Sequence, residues 1–199
     1  MMKRFLSGVV LAAACASAHA QITAGTEVVC VGAVATLRIN ALIGSDARKP
    51  GMLWIGIAAP DRSAGMYLDL SGNWQSYTGG LIPPAGRYDA GLPVLINADI
   101  PLPGKPHSTA AFADWDIGLG EGVYTDQAKQ LVAQRRAQLD GVKPKRVASG
   151  TWDPMLDDDN QYIWSLVASD MLSNQKYRRL ASIQNLDCGM SGFIGGGGH

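Results

Sequence analysis

Histidine and glutamate are scarce in this chain, and their scarcity removes several kinds of catalytic site. Only three of the 199 residues are histidines, and two of these, His19 and His199, lie near the ends of the chain. A transition-metal site built from several histidines is therefore excluded. A Ser-His-Asp hydrolase would have to use His107, and the chain has no Gly-x-Ser-x-Gly elbow to support one.

A strong excess of one charge is also missing. The chain carries 17 basic and 17 acidic residues. If residues 1–20 are removed, as predicted below, two basic residues go with them, and the remaining 15 basic and 17 acidic residues leave the chain slightly acidic. Phosphate binding needs clustered positive charge, so this balance argues against nucleic acid as a partner.

The N-terminus has the layout of a secretory signal peptide. Two basic residues precede an uncharged apolar run at residues 5–14, and Ala-His-Ala at residues 18–20 provides a small-x-small cleavage pattern. The apolar run is shorter than the roughly 20 residues that a transmembrane helix needs. We therefore predict a signal peptide at residues 1–20 and a secreted chain, either periplasmic or extracellular and at the cell surface, with no transmembrane segment after cleavage. A lipobox-like sequence before Cys15 gives a lipid-anchored form as the alternative.

Outside the predicted signal peptide only two cysteines remain, Cys30 and Cys188. In an oxidising compartment a single pair of cysteines most simply forms a disulfide. Such a bond would tie the first strand to the C-terminal region, and closing a loop of this kind stabilises a fold by about 2–4 kcal/mol.

Strand patterns dominate the first half of the chain. Residues 26–42 alternate in part between apolar and polar side chains, which is typical of a half-buried strand. Residues 52–58 are almost wholly apolar and indicate a central strand covered on both faces. Turn-forming residues at 59–65 lead into a second alternating run at 66–70, which predicts a β-hairpin. The Gly- and Pro-rich residues 79–106 favour only short edge strands.

Helix formers are concentrated in the second half. They fill residues 127–140, which follow a capping residue at 125 or 126, and Gly141 is expected just past the helix end. A shorter helix is expected within residues 165–175, and a last strand at residues 177–183.

The glycine-rich sequence GLGEG at residues 118–122 precedes the first helix. It lacks the lysine and the glycine spacing of a phosphate-binding loop, so we do not predict a nucleotide site there. A bent strand leading into the helix is the preferred interpretation.

Together these patterns predict a mainly β fold. Many short strands, one or two helical insertions and a terminal disulfide favour a β-sandwich of Ig-like or jelly-roll-like type. A single β-rich domain is expected over residues 21–194, followed by a flexible glycine-rich tail at residues 195–199.

Two segments resemble β-sandwich modules of secreted and surface bacterial proteins. In residues 52–84 an apolar strand, a Pro-Asp turn, a strand ending near a tryptophan and a Pro-rich passage follow one another. In residues 170–184 a short helix leads into a strand with an aromatic-Arg pair. These modules usually carry Pro-Asp-Gly, where this chain has Arg62 in place of the glycine. The resemblance implies a cell-surface or extracellular module with a structural or adhesive role, and it assigns no functional residue.

Paired aspartates are the alternative catalytic device. A glycosidase uses two carboxyl groups about 5–9.5 Å apart. Asp114 and Asp116 flank one tryptophan, and Asp153 and Asp157 follow another. We predict no catalytic residues. In the alternative that the protein is an enzyme, these four aspartates are the candidate catalytic residues.

The acidic run at residues 153–161 makes calcium the one candidate cofactor. Asp157 and Asp159 offer the oxygen ligands that Ca²⁺ prefers. The run lacks the alternating acidic spacing and the central glycine of a known calcium loop, so no metal site is predicted. In the alternative that calcium binds here, the two aspartates are its candidate ligands.

Three tryptophans that lie beside turns are the candidate binding residues. Trp74, Trp115 and Trp152 have turn-forming neighbours, whereas Trp54 and Trp164 lie in apolar runs and are expected in the core. Exposed aromatic faces stack on sugar rings or fill a partner's pocket.

The sequence thus favours a secreted binding or structural module over an enzyme. An adhesion or surface-assembly component would contact an envelope or surface protein, or a glycan, through these aromatic residues or through exposed strand edges. A small secreted glycan hydrolase and a periplasmic ligand-binding or inhibitor protein are the alternatives.

Overall fold

The computed structural model describes residues 25–104, 107–153 and 159–189. The predicted signal peptide, Cys15 and the predicted tail at residues 195–199 lie outside these residues. Nine β-strands and two α-helices occupy the described part of the chain. The strands are β1 (Glu27–Val31), β2 (Val34–Leu42), β3 (Gly51–Ala58), β4 (Gly65–Leu68), β5 (Trp74–Ser76), β6 (Gly86–Tyr88), β7 (Leu95–Pro101), β8 (Asp116–Val123) and β9 (Tyr177–Ser182), and the helices are α1 (Asp126–Ala148) and α2 (Asp159–Ser173).

The strands form two antiparallel sheets, and the prediction of a mainly β fold with two helices is confirmed. The first sheet has the order β1-β2-β7. The second has the order β5-β4-β3-β8-β9, with β6 also paired to β3. The predicted hairpin is present as β3 and β4, and the predicted last strand as β9.

One hydrophobic core joins the two sheets. It includes Leu37 and Ile39 from β2, Ile55 and Ile57 from β3, and Leu119 from β8. All five side chains are buried, as the alternation in β2 and the apolar run in β3 predict. Burying a side chain of this size contributes about 1.5–3 kcal/mol, so this shared core holds the sheets together.

A second core covers the opposite face of β3. Successive side chains of a strand point to opposite faces, so Met52 and Trp54 face away from the first core. They pack with Val132 of α1 and with Val167 and Met171 of α2. Trp54 is therefore a core residue, as predicted, and β3 is covered on both faces by different partners.

Glycines on β8 allow α2 to lie close to the second sheet. The sequence GLGEG forms the middle of β8, which lies between β3 and β9. We expected a bent strand leading into the helix, and the segment is instead part of an eight-residue strand inside the sheet. A Cβ atom at Gly122 would collide with the carbonyl oxygen of Val167, and one at Gly120 would collide with the sulfur of Met171. The absence of side chains at these positions is what permits the contact.

Helix α1 is longer than predicted, and its predicted end at Gly141 is wrong. A glycine inside a helix costs about 1 kcal/mol relative to alanine, which weakens the helix without ending it. The helix ends instead before Gly150, which has a φ of 69°. Glycine in this left-handed conformation is a common helix terminator. The second helix begins earlier than predicted, at Asp159. Neither helix is long and apolar enough to span a bilayer.

The predicted disulfide between Cys30 and Cys188 is confirmed. It joins β1 of the first sheet to the segment that follows β9, across a sequence separation of 158 residues. The backbone N–H of Cys188 also donates a hydrogen bond of 2.7 Å to the carbonyl oxygen of His107. The disulfide therefore links the two sheets covalently, in addition to the packing of their shared core.

A cluster of acidic and basic side chains fixes the start of β9. The ammonium group of Lys176 lies 2.6 Å from a carboxylate oxygen of Asp46 and 2.7 Å from one of Asp170. Arg178 donates to Glu121 at 2.6 Å and to the carbonyl oxygen of Leu42 at 2.8 Å. These bonds connect the strand to α2, to β8 and to the end of β2.

The two buried carboxylates of this cluster have opposite pKa shifts. Burial raises the pKa of Glu121, and its attraction to Arg178 offsets this only in part. Burial also opposes ionisation of Asp46, but hydrogen bonds from Lys176 and Lys49 outweigh it, so the pKa of Asp46 lies below its ordinary value. Asp46 is therefore the carboxylate of this pair whose ionisation stabilises the folded state.

Replacing Gly122 by alanine tests the close contact between α2 and β8. Because the added Cβ meets backbone, which cannot rotate away, we expect Gly122→Ala to lower the free energy of unfolding by about 2–3 kcal/mol. Gly141→Ala is the matched control, since a Cβ there meets nothing within 4 Å. In the interior of α1 this control should raise stability by about 0.5–1 kcal/mol. Urea denaturation measures both, and equal effects of the two substitutions would contradict the contact.

Replacing Asp46 by asparagine tests the charged cluster. We expect Asp46→Asn to lower the free energy of unfolding by about 2 kcal/mol at pH 7, because Lys176 loses a charged partner. The pKa of folded Asp46 lies below 3.8, so the unfolded chain binds the proton first as the pH falls. The stabilisation is thus complete above about pH 5 and disappears as the pH falls through the folded pKa.

Urea titrations at a series of pH values measure this difference between the two proteins. A difference that is the same at pH 7 and at about pH 3 would be evidence against the assigned pKa shift. Asp99→Asn is the control, because Asp99 forms an exposed ion pair with Arg38 on the first sheet. Its effect on stability should be small at every pH.

Candidate functional site

An open apolar groove lies on the face of the second sheet that packs against the helices. It has a volume of about 130 Å³. Gly56 lies in its floor, and Tyr67, Tyr77, Ile82 and Tyr177 are among the side chains that surround it. We call this feature the tyrosine groove. It adjoins the second core, because Trp54 belongs to both.

The floor of the groove is made by small residues in neighbouring strands. Gly56 of β3 is opposite Gly118 of β8 in the antiparallel register, and Ala58 and Gly65 also line the groove. A Cβ atom at Gly118 would collide with the ring and hydroxyl of Tyr177. The ring of Tyr177 therefore lies directly over Gly118, where it forms one wall.

Hydrogen bonds hold the other walls in place. The indole N–H of Trp54 donates to the carbonyl oxygen of Ile82 at 3.0 Å, which fixes the segment after β5 beside the sheet. Tyr77 donates its backbone N–H to Gly65 at 2.9 Å and its hydroxyl to the carbonyl oxygen of Gly80 at 3.3 Å. The groove is thus shaped by bonded segments of the fold.

One end of the groove carries charge. Asp116 is directly opposite Ala58 in the pairing of β8 with β3. Its carboxylate accepts hydrogen bonds from Arg62 at 3.3 Å and from Arg179 at 2.6 Å. Burial raises the pKa of Tyr177, and the charges of Arg62 and Asp116 act on the same hydroxyl with opposite signs. These contacts place the charged cluster beside Tyr177.

Arg62 occupies an unusual backbone position for its residue type. Its φ is 62°, in the left-handed region that favours glycine. A residue with a Cβ atom pays about 1–2 kcal/mol for this conformation. A strained residue thus places a guanidinium next to the groove.

The three predicted binding tryptophans lie in two different regions. Trp74 packs against the first core and donates its indole N–H to the carbonyl oxygen of Pro101 at 2.8 Å. Trp115 packs against the same core, edge-on to Phe112 at a centroid distance of 5.1 Å. Trp152 follows α1, and its ring lies 4.9 Å from the ammonium nitrogen of Lys143. A binding role for these tryptophans stays a prediction.

The four aspartates of the alternative catalytic site lie on two segments. Asp114 and Asp116 precede and begin β8, and the carboxylate of Asp116 is bonded to two arginines. Asp153 lies between the two helices, and Asp157 lies outside the described residues. A paired-carboxylate mechanism also stays a prediction.

Only one of the two aspartates of the alternative calcium site lies within the described residues. Asp157 lies outside the described residues, and Asp159 forms ion pairs with Arg135 and Arg136 of α1. In the part of the chain that the structure describes, no group of three or more His, Cys, Asp or Glu residues is arranged to hold a metal ion.

The groove does not follow from the positions of the tryptophans, on which the predicted binding site rests. The groove depends on small residues in β3, β4 and β8 that leave a gap in one face of a sheet, and on tyrosines far apart in the chain. The usable signal was the alternation after the Pro-Asp turn, where Gly65 and Tyr67 share one strand face. The partner positions on β8 and β9 become visible only once the register is known.

Comparisons with protein-family models, with curated proteins and with solved structures find no match to this chain.

Proposed function

We propose that this chain is a secreted binding module of the cell envelope or the extracellular space, and that the tyrosine groove holds one apolar side chain of a protein partner. The two sheets would serve as the layers of an open β-sandwich, Ig-like or jelly-roll-like in type, that presents this groove. The shared core and the Cys30–Cys188 disulfide support such an arrangement. A disulfide is also compatible with a compartment outside the cytoplasm.

The size of the groove is the observation that carries this proposal. Its volume of about 130 Å³ is well below the roughly 300–1,000 Å³ of pockets that enclose whole ligands. A cavity of about 150 Å³ holds a single benzene ring. The groove therefore suits one apolar side chain or ring, with the rest of the partner lying on the surface outside it.

The chemistry of the lining favours a protein side chain over a sugar ring. Apart from backbone, the polar groups of the lining are tyrosine hydroxyls and the Trp54 indole, which is bonded to Ile82. The hydroxyl of Tyr77 is also bonded within the protein. A sugar buried here would leave hydroxyl groups without partners, at about 1–3 kcal/mol for each. An apolar side chain carries no such penalty, and tyrosines are frequent anchors at protein interfaces.

The alternative of a glycan hydrolase has less support. Asp116 is engaged by two arginines, and its side chain is 16% exposed. A catalytic acid or nucleophile needs access to the substrate at a suitable protonation state. The role of Asp116 is better explained by the arginines that it holds beside the groove.

A random-peptide display selection tests the proposal. The bait is the exported full chain with its disulfide formed, and bound peptides are measured against groove-filling and control variants. Gly65→Val fills the groove, because Gly65 lines it and a Cβ there has ordinary contacts of 3.4 Å or more. Gly44→Val is the matched control, since a Cβ at Gly44 meets nothing within 4 Å.

We expect the selected peptides to share an apolar anchor residue. Their affinity should fall at least about tenfold for Gly65→Val, since losing one buried apolar side chain removes about 1.5–3 kcal/mol, and it should not change for Gly44→Val. Failure to enrich any peptide, or equal binding to the groove-filled variant, would overturn the proposal. Urea denaturation of both variants confirms that they are folded.

A further inference from the structure

The charged end of the groove exposes its cations more than the carboxylate that they share. Arg62 and Arg179 share the single carboxylate of Asp116. The side chains of these arginines are 58% and 60% exposed, whereas that of Asp116 is 16% exposed. The neighbouring carboxylate of Asp61 accepts hydrogen bonds from the backbone and hydroxyl of Ser63. Arg62, Arg179 and Asp116 alone sum to one positive charge, but Asp61 remains an anion because its neutral Ser63 donors do not cancel its charge, so the four charges balance. What this end of the groove exposes most is the two guanidinium groups.

The arginines have donors to spare. A guanidinium offers five N–H groups, and Asp116 uses one from each arginine in the hydrogen bonds that the structure shows. Arg179 donates a further bond to the hydroxyl of Ser182. The donors that remain on two exposed guanidinium groups match the two oxygens of a further carboxylate.

The cluster also has a fixed position next to the groove. Asp116 of β8 is opposite Ala58 of β3, and Ala58 lines the groove. Arg179 of β9 is opposite Gly118 of β8, and the ring of Tyr177 lies over Gly118. Paired strands are about 4.8 Å apart, so a group bound to the arginines would lie close to a side chain held in the groove. The separation is about that of two neighbouring residues in a peptide.

We infer that the partner segment carries an aspartate or glutamate next to its apolar anchor, and that Arg62 and Arg179 bind this carboxylate while the tyrosine groove holds the anchor. The strained backbone of Arg62 supports this assignment, because a glycine at that position would fit the turn without strain but would supply no cation.

Three blocked tripeptides test this inference by NMR titration of the disulfide-bonded full chain at low salt. They are Ac-Asp-Leu-Asp-NH₂, its neutral form Ac-Asn-Leu-Asn-NH₂, and Ac-Asp-Ala-Asp-NH₂, which lacks the anchor. We expect the first peptide to bind about fivefold more tightly than its neutral form, which is the upper range for an exposed ion pair. The alanine peptide should bind more weakly than the leucine peptide with the same charges.

Variants assign the effect to the arginines. Arg62→Gly and Arg179→Gln should each bring the affinity ratio of the charged and neutral peptides toward one, and Arg62→Lys should retain part of the preference. Arg38→Gln is the control for net charge, because Arg38 lies on the first sheet, where it pairs with Asp99. This control should leave the ratio unchanged.

Because the inference rests on the proposed function, the outcomes must separate the two. Equal affinity for the charged and neutral leucine peptides overturns the inference and leaves the groove as a site for an apolar side chain. Equal affinity for the leucine and alanine peptides overturns the proposed function, since the anion would then bind without the groove. No chemical-shift change with any of the three peptides overturns both.

Discussion

The antiparallel pairing of β3 with β8 is the constraint on which the rest of the structure depends. It runs without a break from Gly51 opposite Val123 to Ala58 opposite Asp116. On one face this register puts Ile55 opposite Leu119 and Ile57 opposite Ile117, and these pairs form the middle of the core shared with the first sheet. A shift by one residue would exchange the two faces of a strand, so the large apolar side chains of this core fix the register.

The same register decides which part of the opposite face is covered by helices. There Met52 is opposite Gly122 and Trp54 is opposite Gly120, so each large side chain lies beside a glycine. The glycines leave room for α2, and the large side chains supply the surface on which it packs. Further along the strands Gly56 is opposite Gly118, where the ring of Tyr177 covers Gly118 and Gly56 lines the open groove. The tyrosine groove is thus the place where two small residues meet in the sheet.

Local signals explain which elements could be predicted from the sequence. The alternation in β2, the Pro-Asp turn of the β3–β4 hairpin and the single cysteine pair each act over a few residues or leave one simple partner. Strand β8 was harder, because glycine has a low strand propensity and GLGEG has meaning only beside α2 and Tyr177. The end of α1 was misplaced because Gly141 and Gly150 look alike until the backbone shows which of them has a positive φ.

The site was harder to predict than the fold, since its residues come from three segments, 54–82, 116–118 and 177–179, that are joined only through β3, β8 and β9. Asp116 shows how closely the two are connected. Its backbone belongs to the last residue pair of the β3–β8 ladder. Its carboxylate accepts hydrogen bonds from one arginine in a turn and from one in an edge strand. Glycines in a sheet interior cost about 0.5–1 kcal/mol each, and Arg62 adds backbone strain beside them. A Cβ atom at Gly56 would lie 3.0 Å from the backbone oxygen of Met66, so the pairing of β3 with β4 itself keeps this position small. The strained turn at Arg62 has no such packing reason, and its place beside the groove is the feature that the proposed contact with another molecule would explain.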